Sequence, residues 1–187
     1  KSLGVTRVSV NPQTFCDQTL AVIGRKHTVA DFYASYETMK AAGFDINTDL
    51  IAGLPGENSS VFIDSVHKCL ELKPDNLTIH TFSLKRGATF VSDGMEKAEF
   101  GSIKDAVEES HELLRSAGYV PYYMYRQKNT ADNLENTGFC IDGKQCIYNV
   151  DMMEEAATII GSGAGSMTKL VCGNKMERLS SPKGFRE

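Results

Sequence analysis

Asp49 sits in Asn47-Thr48-Asp49-Leu50-Ile51, just ahead of the turn-rich Ala52-Gly53-Leu54-Pro55-Gly56-Glu57. A carboxylate at the mouth of a parallel strand can accept two hydrogen bonds from ribose hydroxyls. An acid that merely caps the next loop would look the same. Gln13 follows a β-branched run and the breaker Asn11-Pro12, so its amide could read a polar ligand from a similar place. Arg25, in Gly24-Arg25-Lys26-His27, offers a planar guanidinium that can pair bidentately with a carboxylate, although an exposed helix-end arginine is the commoner case. Gly161-Ser162-Gly163-Ala164-Gly165-Ser166 follows the apolar Thr158-Ile159-Ile160. Such glycines can bring backbone N–H groups close to an anion. The run lacks both the Lys-Ser or Lys-Thr of a P-loop and the long apolar helix and later acid of a dinucleotide fingerprint, so it reads first as a tight structural turn.

The metal-type residues are dispersed. His27, His67, His80 and His111 form no His-x3-His or His-Glu pair that would support zinc. His67 and His111 fall on predicted helices as surface or edge residues, whereas His80 lies in a strand and could point into a barrel. Cys16, Cys69, Cys140, Cys146 and Cys172 are odd in number and scattered, which suits free thiols in a reducing cytosol better than a disulfide framework. No metal site is read from these spacings. Tyr122, Tyr123 and Tyr125 make an aromatic strand, explained first by packing and second by stacking on a flat ligand.

The elements that must position these residues alternate. Val5 to Val10 reads as a strand, followed by a short amphipathic piece around Asp17 to Ile23. Thr28-Val29-Ala30-Asp31 is a capping-box variant that opens a helix, and Gly43 sits where a C′ glycine belongs. Phe44 to Ile51 is the second strand, Ser60 to Leu72 the next helix and Asn76 to Phe82 the third strand. A long helix is predicted over Glu96 to Ala117, then an aromatic strand over Tyr119 to Tyr125; Arg126 to Tyr148 is polar and irregular. This βα rhythm predicts an α/β fold with a parallel sheet, either doubly wound or a (β/α) barrel, with ligands at the carboxyl ends of the strands.

The 187 residues, 41% hydrophobic and 24% charged, describe a folded chain of ordinary domain size rather than a disordered one. A net charge of -4 argues against a nucleic-acid footprint, and no run approaches a membrane span. No signal-peptide order opens the sequence. Lys1 leads almost directly into a strand, which points to a segment of a longer chain.

Several pieces occur together in order. Arg7-Val8-Ser9-Val10-Asn11-Pro12-Gln13-Thr14-Phe15, Ile23-Gly24-Arg25, Asn47 to Gly56 and Pro74-Asp75-Asn76-Leu77 resemble the oxygen-independent coproporphyrinogen III oxidases of the radical S-adenosylmethionine (SAM) superfamily. The Asp-Leu-Ile-x-Gly-Leu-Pro stretch, spaced after the Ser-x-x-x-Gln and Arg elements, is the most specific match. Tyr125-Arg126-Gln127-Lys128-Asn129 and Tyr148-Asn149 resemble the Firmicute-type branch named coproporphyrinogen dehydrogenase.

The resemblance implies the later part of a (β/α)6 partial TIM-type barrel, about three βα units over residues 1–118, with an α+β C-terminal extension over 119–187. It implies oxidative decarboxylation of two propionates of coproporphyrinogen III to vinyl groups in porphyrin (heme) biosynthesis. SAM and a [4Fe-4S] cluster serve the complete cytoplasmic enzyme, together with an electron donor. The family's Cys-x3-Cys-x2-Cys and Gly-Gly-Thr-Pro motifs do not occur in this sequence, so the segment alone is expected to be inactive. Gln13, Arg25 and Asp49 match the residues that hold the cofactor's polar groups, methionyl carboxylate and ribose, and Ser83 matches a backbone contact to adenine. Asn11-Pro12 stands where the family more usually has Gly-Val. Asp151 and Met167 match substrate-side or cofactor-side positions, and Arg86, Arg126 and Lys128 are candidate cations for porphyrinogen carboxylates. The resemblance turns the Gly161 to Gly165 run into a packing feature near the pocket. Two alternatives remain: a heme chaperone of the same superfamily, whose usual His-Asn-x-x-Tyr-Trp stretch reads here Tyr148-Asn149-Val150-Asp151-Met152-Met153, and a cofactor-free α/β binding domain.

Overall fold

A computed structural model describes residues 3–83, 102–126, 134–173 and 175–184. Two compact units follow one another, Lys1–Gln145 and Cys146–Glu187. The first is built on strands β1 (Arg7–Ser9), β2 (Asp45–Ala52) and β3 (Asn76–Thr81), which pair in parallel. Helices α1 (Asp17–Val22) and α2 (Val29–Ala41) connect β1 to β2, and α3 (Ser59–Leu72) connects β2 to β3. Helix α4 (Ile103–Ser116), β4 (Val120–Tyr125) and β5 (Asn136–Cys140) complete the unit.

Local chemistry sets the boundaries. At the start of α2, the Thr28 hydroxyl accepts from the Asp31 N–H at 3.1 Å while Asp31 accepts from the Thr28 N–H at 2.9 Å, closing the expected capping box. The helix ends at Ala42, and Gly43 follows at φ 74°, a left-handed conformation that costs a side-chain-bearing residue more. Asn58 caps α3 by accepting from the Val61 N–H at 3.1 Å. Ser102 caps α4, which begins at Ile103, through the Asp105 N–H; the expected start at Glu96 lies outside the described residues.

The sheet order is β1-β2-β3-β5-β4, with β5 antiparallel to both neighbours. The sequence reading left Asn136–Cys140 in an irregular stretch, because Asn-Thr-Gly-Phe-Cys carries more turn than strand character. Tertiary pairing overrides that composition: all five residues are buried. The sheet is therefore mixed, and takes two of its strands from residues beyond 118.

Alternation divides this sheet into two faces. Ile46, Leu50 and Ala52 share one face with Leu77 and Ile79, in a core with Phe32, Tyr36, Phe62, Val66, Val107, Leu114 and Phe139. Each large side chain buried here stabilises the fold by roughly 1.5–3 kcal/mol. Cys69 belongs to the same core; its thiol lies 3.3 Å from the Thr48 hydroxyl, and burial pushes its pKa up to about 12. The other face carries Asp45, Asn47 and Asp49 of β2 and, by register, Asn76, Thr78 and His80 of β3.

Gly138 explains how the aromatic strand joins that second face. A Cβ at this position would lie 1.8 Å from Cε1 of Tyr123, so the ring lies flat across the glycine. The Tyr123 hydroxyl then reaches Thr78 at 3.0 Å, and burial holds its phenol well above the ordinary value. Below, at the N-terminal ends of β2 and β3, Lys144 meets Asp45 at 2.5 Å and Asp75 at 3.5 Å. Arg7 donates to the Lys144 carbonyl at 2.8 Å.

The second unit consists of α5 (Ile147–Glu154) and an antiparallel hairpin of β6 (Met167–Cys172) and β7 (Lys175–Ser180). Only Ile159 of the expected Thr158-Ile159-Ile160 strand pairs, through one bridge to Lys169.

Gly138→Ala is expected to displace Tyr123 and cost about 1–3 kcal/mol of stability, the usual range for an overpacked core. Urea unfolding measures this. Combined with Tyr123→Ala, which vacates the space, the glycine substitution should cost clearly less than it does alone.

Candidate functional site

The carboxyl end of β1 carries an extra residue. Ser9 pairs with Asn47 and Gln13 with Leu50, so four steps along the first chain match three along β2 (13 − 9 against 50 − 47). Such a bulge re-aims the chain. Gln13 takes φ 67°, a left-handed conformation uncommon outside glycine and worth of order 1–3 kcal/mol of strain. Backbone hydrogen bonds hold it there: its N–H donates to the Asp49 carbonyl at 3.0 Å, and its carbonyl accepts from Ile51 at 2.9 Å.

The bulge also brings Asn11 to Asp49. Asn11 Nδ2 donates to Asp49 Oδ2 at 2.7 Å, and His80 Nε2 lies 3.7 Å from the same oxygen. Tyr125 continues the row, its hydroxyl 3.2 Å from His80 Nδ1. Its ring stacks parallel to Tyr123 at 6.3 Å between centroids. Asn11 Oδ1 and Asn47 Oδ1 are buried without a hydrogen-bond partner. Asn11 Oδ1 and the Asp49 carboxylate thus lie together beyond the end of β1, while Asn47 stands lower, opposite Asn76 at the start of β3.

Beneath the bulge, Glu57 is buried. Its Oε1 accepts from the Thr14 hydroxyl at 2.5 Å, while Oε2 is buried without a partner. Burial raises its pKa from the ordinary 4.5, outweighing the hydrogen bonds from Thr14 and Thr19 that favour the charged form. Ser65 accepts from the Phe15 N–H at 3.0 Å. These contacts tie the Gln13 segment to the loop after β2 and to α3.

The structure joins Gln13 to Asp49 through backbone hydrogen bonds. Ser83 lies two residues beyond β3, where the Phe82 N–H donates to the Ala52 carbonyl at 2.9 Å. Arg25 is exposed in the turn after α1, its backbone N–H donating to Leu20 O at 2.9 Å. Arg126 forms an exposed ion pair with Glu135 at 3.1 Å. Arg86 and Lys128 lie outside the described residues. Asp151 and Met167 belong to the second unit: the Asp151 carbonyl accepts from Lys169, and Met167 lines a cavity of about 340 Å³ with Tyr148, Met152 and Arg178. In the glycine run, the Gly161 N–H donates to the Thr168 hydroxyl and the Gly165 N–H to the Pro182 carbonyl, so both serve the unit's own turns.

Asn11, Glu57 and the Tyr125 partner of His80 were not singled out as site residues from the sequence. The available signals were the departure at Asn11-Pro12 and the alternation of Asn76, Thr78 and His80; nothing in the Pro55-Gly56-Glu57 turn announces a buried acid. His111, expected at the surface, instead packs on Phe139 at 5.0 Å, and burial lowers its pKa.

A family model described as Radical SAM superfamily matches residues 1–69. The Bacillus subtilis "Oxygen-independent coproporphyrinogen-III oxidase-like protein HemZ" is 39% identical over 184 residues, covering 96% of this chain and 37% of that protein. The chain fits the radical SAM coproporphyrinogen oxidase family. Among other relatives, the heme chaperone HemW of Haemophilus influenzae is 25% identical over 98% of the chain and 46% of its own length. The solved structure of coproporphyrinogen III oxidase (HemN) from Escherichia coli, described as a radical SAM enzyme, superposes with a TM-score of 0.69 at 17% identity, over 99% of this chain and 42% of that one. That likeness shows the fold. The chain spans less than half the length of these relatives.

The radical SAM family implies SAM and a [4Fe-4S] cluster in complete enzymes. The thiols of this chain do not fit the cluster: among the described residues no group of three His, Cys, Asp or Glu could hold a metal ion. No helix among them is long and apolar enough to cross a membrane.

The raised pKa of Glu57 has a defined sign. The folded state holds this proton more tightly than the unfolded state, so its contribution is fully present below pH 4.5 and is lost as pH rises towards the folded value. Glu57→Gln is expected to remove that loss and leave the protein more stable than wild type at neutral pH, as chemical denaturation across this range would measure.

Proposed function

We propose that this chain forms the later barrel strands and C-terminal extension of a cytoplasmic oxygen-independent coproporphyrinogen III oxidase, and that the polar face of its sheet holds SAM. The observation that carries this reading is the bulge that pins Gln13 at φ 67° beside Asp49. A strained residue held by hydrogen bonds on both sides is characteristic of functional sites. The donor set fits the cofactor's polar groups. Asp49 and Asn11 Oδ1 are acceptors for hydroxyl and amino hydrogens, and the exposed Arg25 guanidinium is available to a carboxylate. HemZ and HemN, by their names, connect the fold to coproporphyrinogen chemistry.

In this reading Asp49 binds the ribose hydroxyls, Arg25 neutralises the methionyl carboxylate, Gln13 hydrogen-bonds the cofactor and Ser83 meets the adenine through its backbone. Asp151 and Met167 serve the substrate or cofactor side of the extension, and Arg86 and Arg126 receive porphyrinogen carboxylates. When bound, SAM would supply the means to abstract a hydrogen atom from a propionate side chain. This chain's residues orient the cofactor and exclude water, setting the distance to the target carbon. Each of two rounds would pass a hydrogen atom to the cofactor and one electron to an acceptor outside this chain, release carbon dioxide, and leave a vinyl group. The cluster comes from outside the residues of this chain.

The similarity to HemW sustains a second reading, in which the complete protein carries heme. The complete protein, assayed anaerobically with coproporphyrinogen III, SAM and a reductant, separates the two. Protoporphyrinogen IX formation supports the enzyme; stoichiometric heme binding without product supports the carrier. Gln13→Ala and Asp49→Asn should each weaken SAM binding about tenfold, the loss expected for a hydrogen bond to a charged or strongly polar group, as measured by calorimetric titration.

A further inference from the structure

Three residues from three strands form a row on the polar face: Asp49 of β2, His80 of β3 and Tyr125 of β4. We propose that His80 and Tyr125 are positioning residues for the Asp49 carboxylate, orienting it to receive the two hydroxyls of a ribose-type diol. This rests on the reading of Asp49 as the ribose contact.

The hydrogen-bond inventory gives the orientation. His80 Nδ1 faces the Tyr125 hydroxyl at 3.2 Å, and Nε2 faces Asp49 Oδ2 at 3.7 Å. A neutral imidazole carries its proton on one nitrogen only. With the proton on Nδ1, the Nε2 lone pair would confront a carboxylate oxygen. With the proton on Nε2, an N–H faces the carboxylate and Nδ1 accepts from the phenol. The carboxylate therefore selects the Nε2–H tautomer, and the phenol, which can donate or accept, donates to Nδ1 in it.

The target oxygen matters as well. Asn11 Nδ2 already donates to Oδ2 at 2.7 Å, so Asn11 and His80 both address that oxygen. Among the described residues Oδ1 has no hydrogen-bond partner, and its two lone pairs are left for two ligand hydroxyls. Rotation about the Asp49 side chain would exchange the two oxygens, and the flanking donors oppose it. The 3.7 Å separation exceeds a hydrogen bond, so the effect is one of orientation.

Calorimetric titration of the complete protein with SAM and with its 2′-deoxyribose analogue tests this, since general structural damage weakens both ligands alike. Wild type should bind the deoxy ligand about tenfold more weakly, as for a hydrogen bond to a charged group, and Asp49→Ala should erase that ratio. His80→Ala is expected to reduce the ratio to about threefold, on the scale of one neutral hydrogen bond, while His80→Gln, which keeps an N–H donor, restores most of it. Tyr125→Phe keeps the packing and should fall between wild type and His80→Ala. If His80→Ala and Tyr125→Phe keep the full wild-type ratio while Asp49→Ala erases it, the positioning role is overturned and the ribose reading stands. If Asp49→Ala changes neither affinity nor ratio, the ribose reading fails and takes this inference with it.

Discussion

The parallel register of β2 against its two neighbours decides which side chains can meet a ligand. Asp49 stands opposite Thr78, and Leu50 opposite Ile79. A slip of one residue would turn Leu50 to the polar face and bury Asp49 among Phe62, Val66 and Leu77. Burying an unpaired carboxylate in such a core is far more costly than burying any apolar residue. The hydrophobic pattern that stabilises the fold is thus also what points Asp49, His80 and Asn47 away from the helices. Stability and site geometry are set by the same alternation, and neither can drift without the other.

The two ends of the strands divide their labour. At the N-terminal ends, Arg7, Lys144, Asp45, Asp75 and Asn76 form a network of direct ion pairs and hydrogen bonds. Lys144 is held protonated more firmly than usual there, chiefly by its hydrogen bond to Asp45. At the carboxyl ends, partners are incomplete: Asn11 Oδ1 and Glu57 Oε2 are buried and unpaired, and Gln13 is strained. Satisfied charge at one end and unsatisfied acceptors at the other are what a fold shows when one rim holds the chain together and the opposite rim is left for a ligand.

How much of this could be read from residues alone follows from the range of the interactions. The Thr28 capping box, the end of α2 at Gly43 and the strand–helix order from Arg7 to Thr81 are local, within four residues or one period, and the sequence displays them directly. Gln13 and Asp49 were picked out by their place after strands and by resemblance. Their backbone pairing follows from the strand order, but the bulge does not, because it depends on one extra residue between Ser9 and Gln13 measured against β2. Strand β5 was invisible because Asn136–Cys140 has poor strand composition and is stabilised by burial on both faces. The α5 helix and the β6–β7 hairpin were missed for a related reason. The described residues of α5 are never buried, so the apolar periodicity that marks a core-facing helix is absent. Glu57 illustrates the limit most sharply: an acid in a turn is expected in water, and only the packing of α1, α3 and the Gln13 segment around it makes it otherwise.

The place of β5 in the sheet carries a temporal consequence. It is the last of the five strands to be synthesised, yet it sits between β3 and β4. On a ribosome adding about 5–20 residues per second, β3 and β4 emerge with the edges that will face β5 still bare. Neither can close on the other without expelling the strand that belongs between them. Residues 136–140 therefore act as a keystone delivered after both abutments, and Gly138 is the point at which Tyr123 must already be able to swing aside to let it in. Until then, β3 exposes a row of backbone donors and acceptors that another chain could seize.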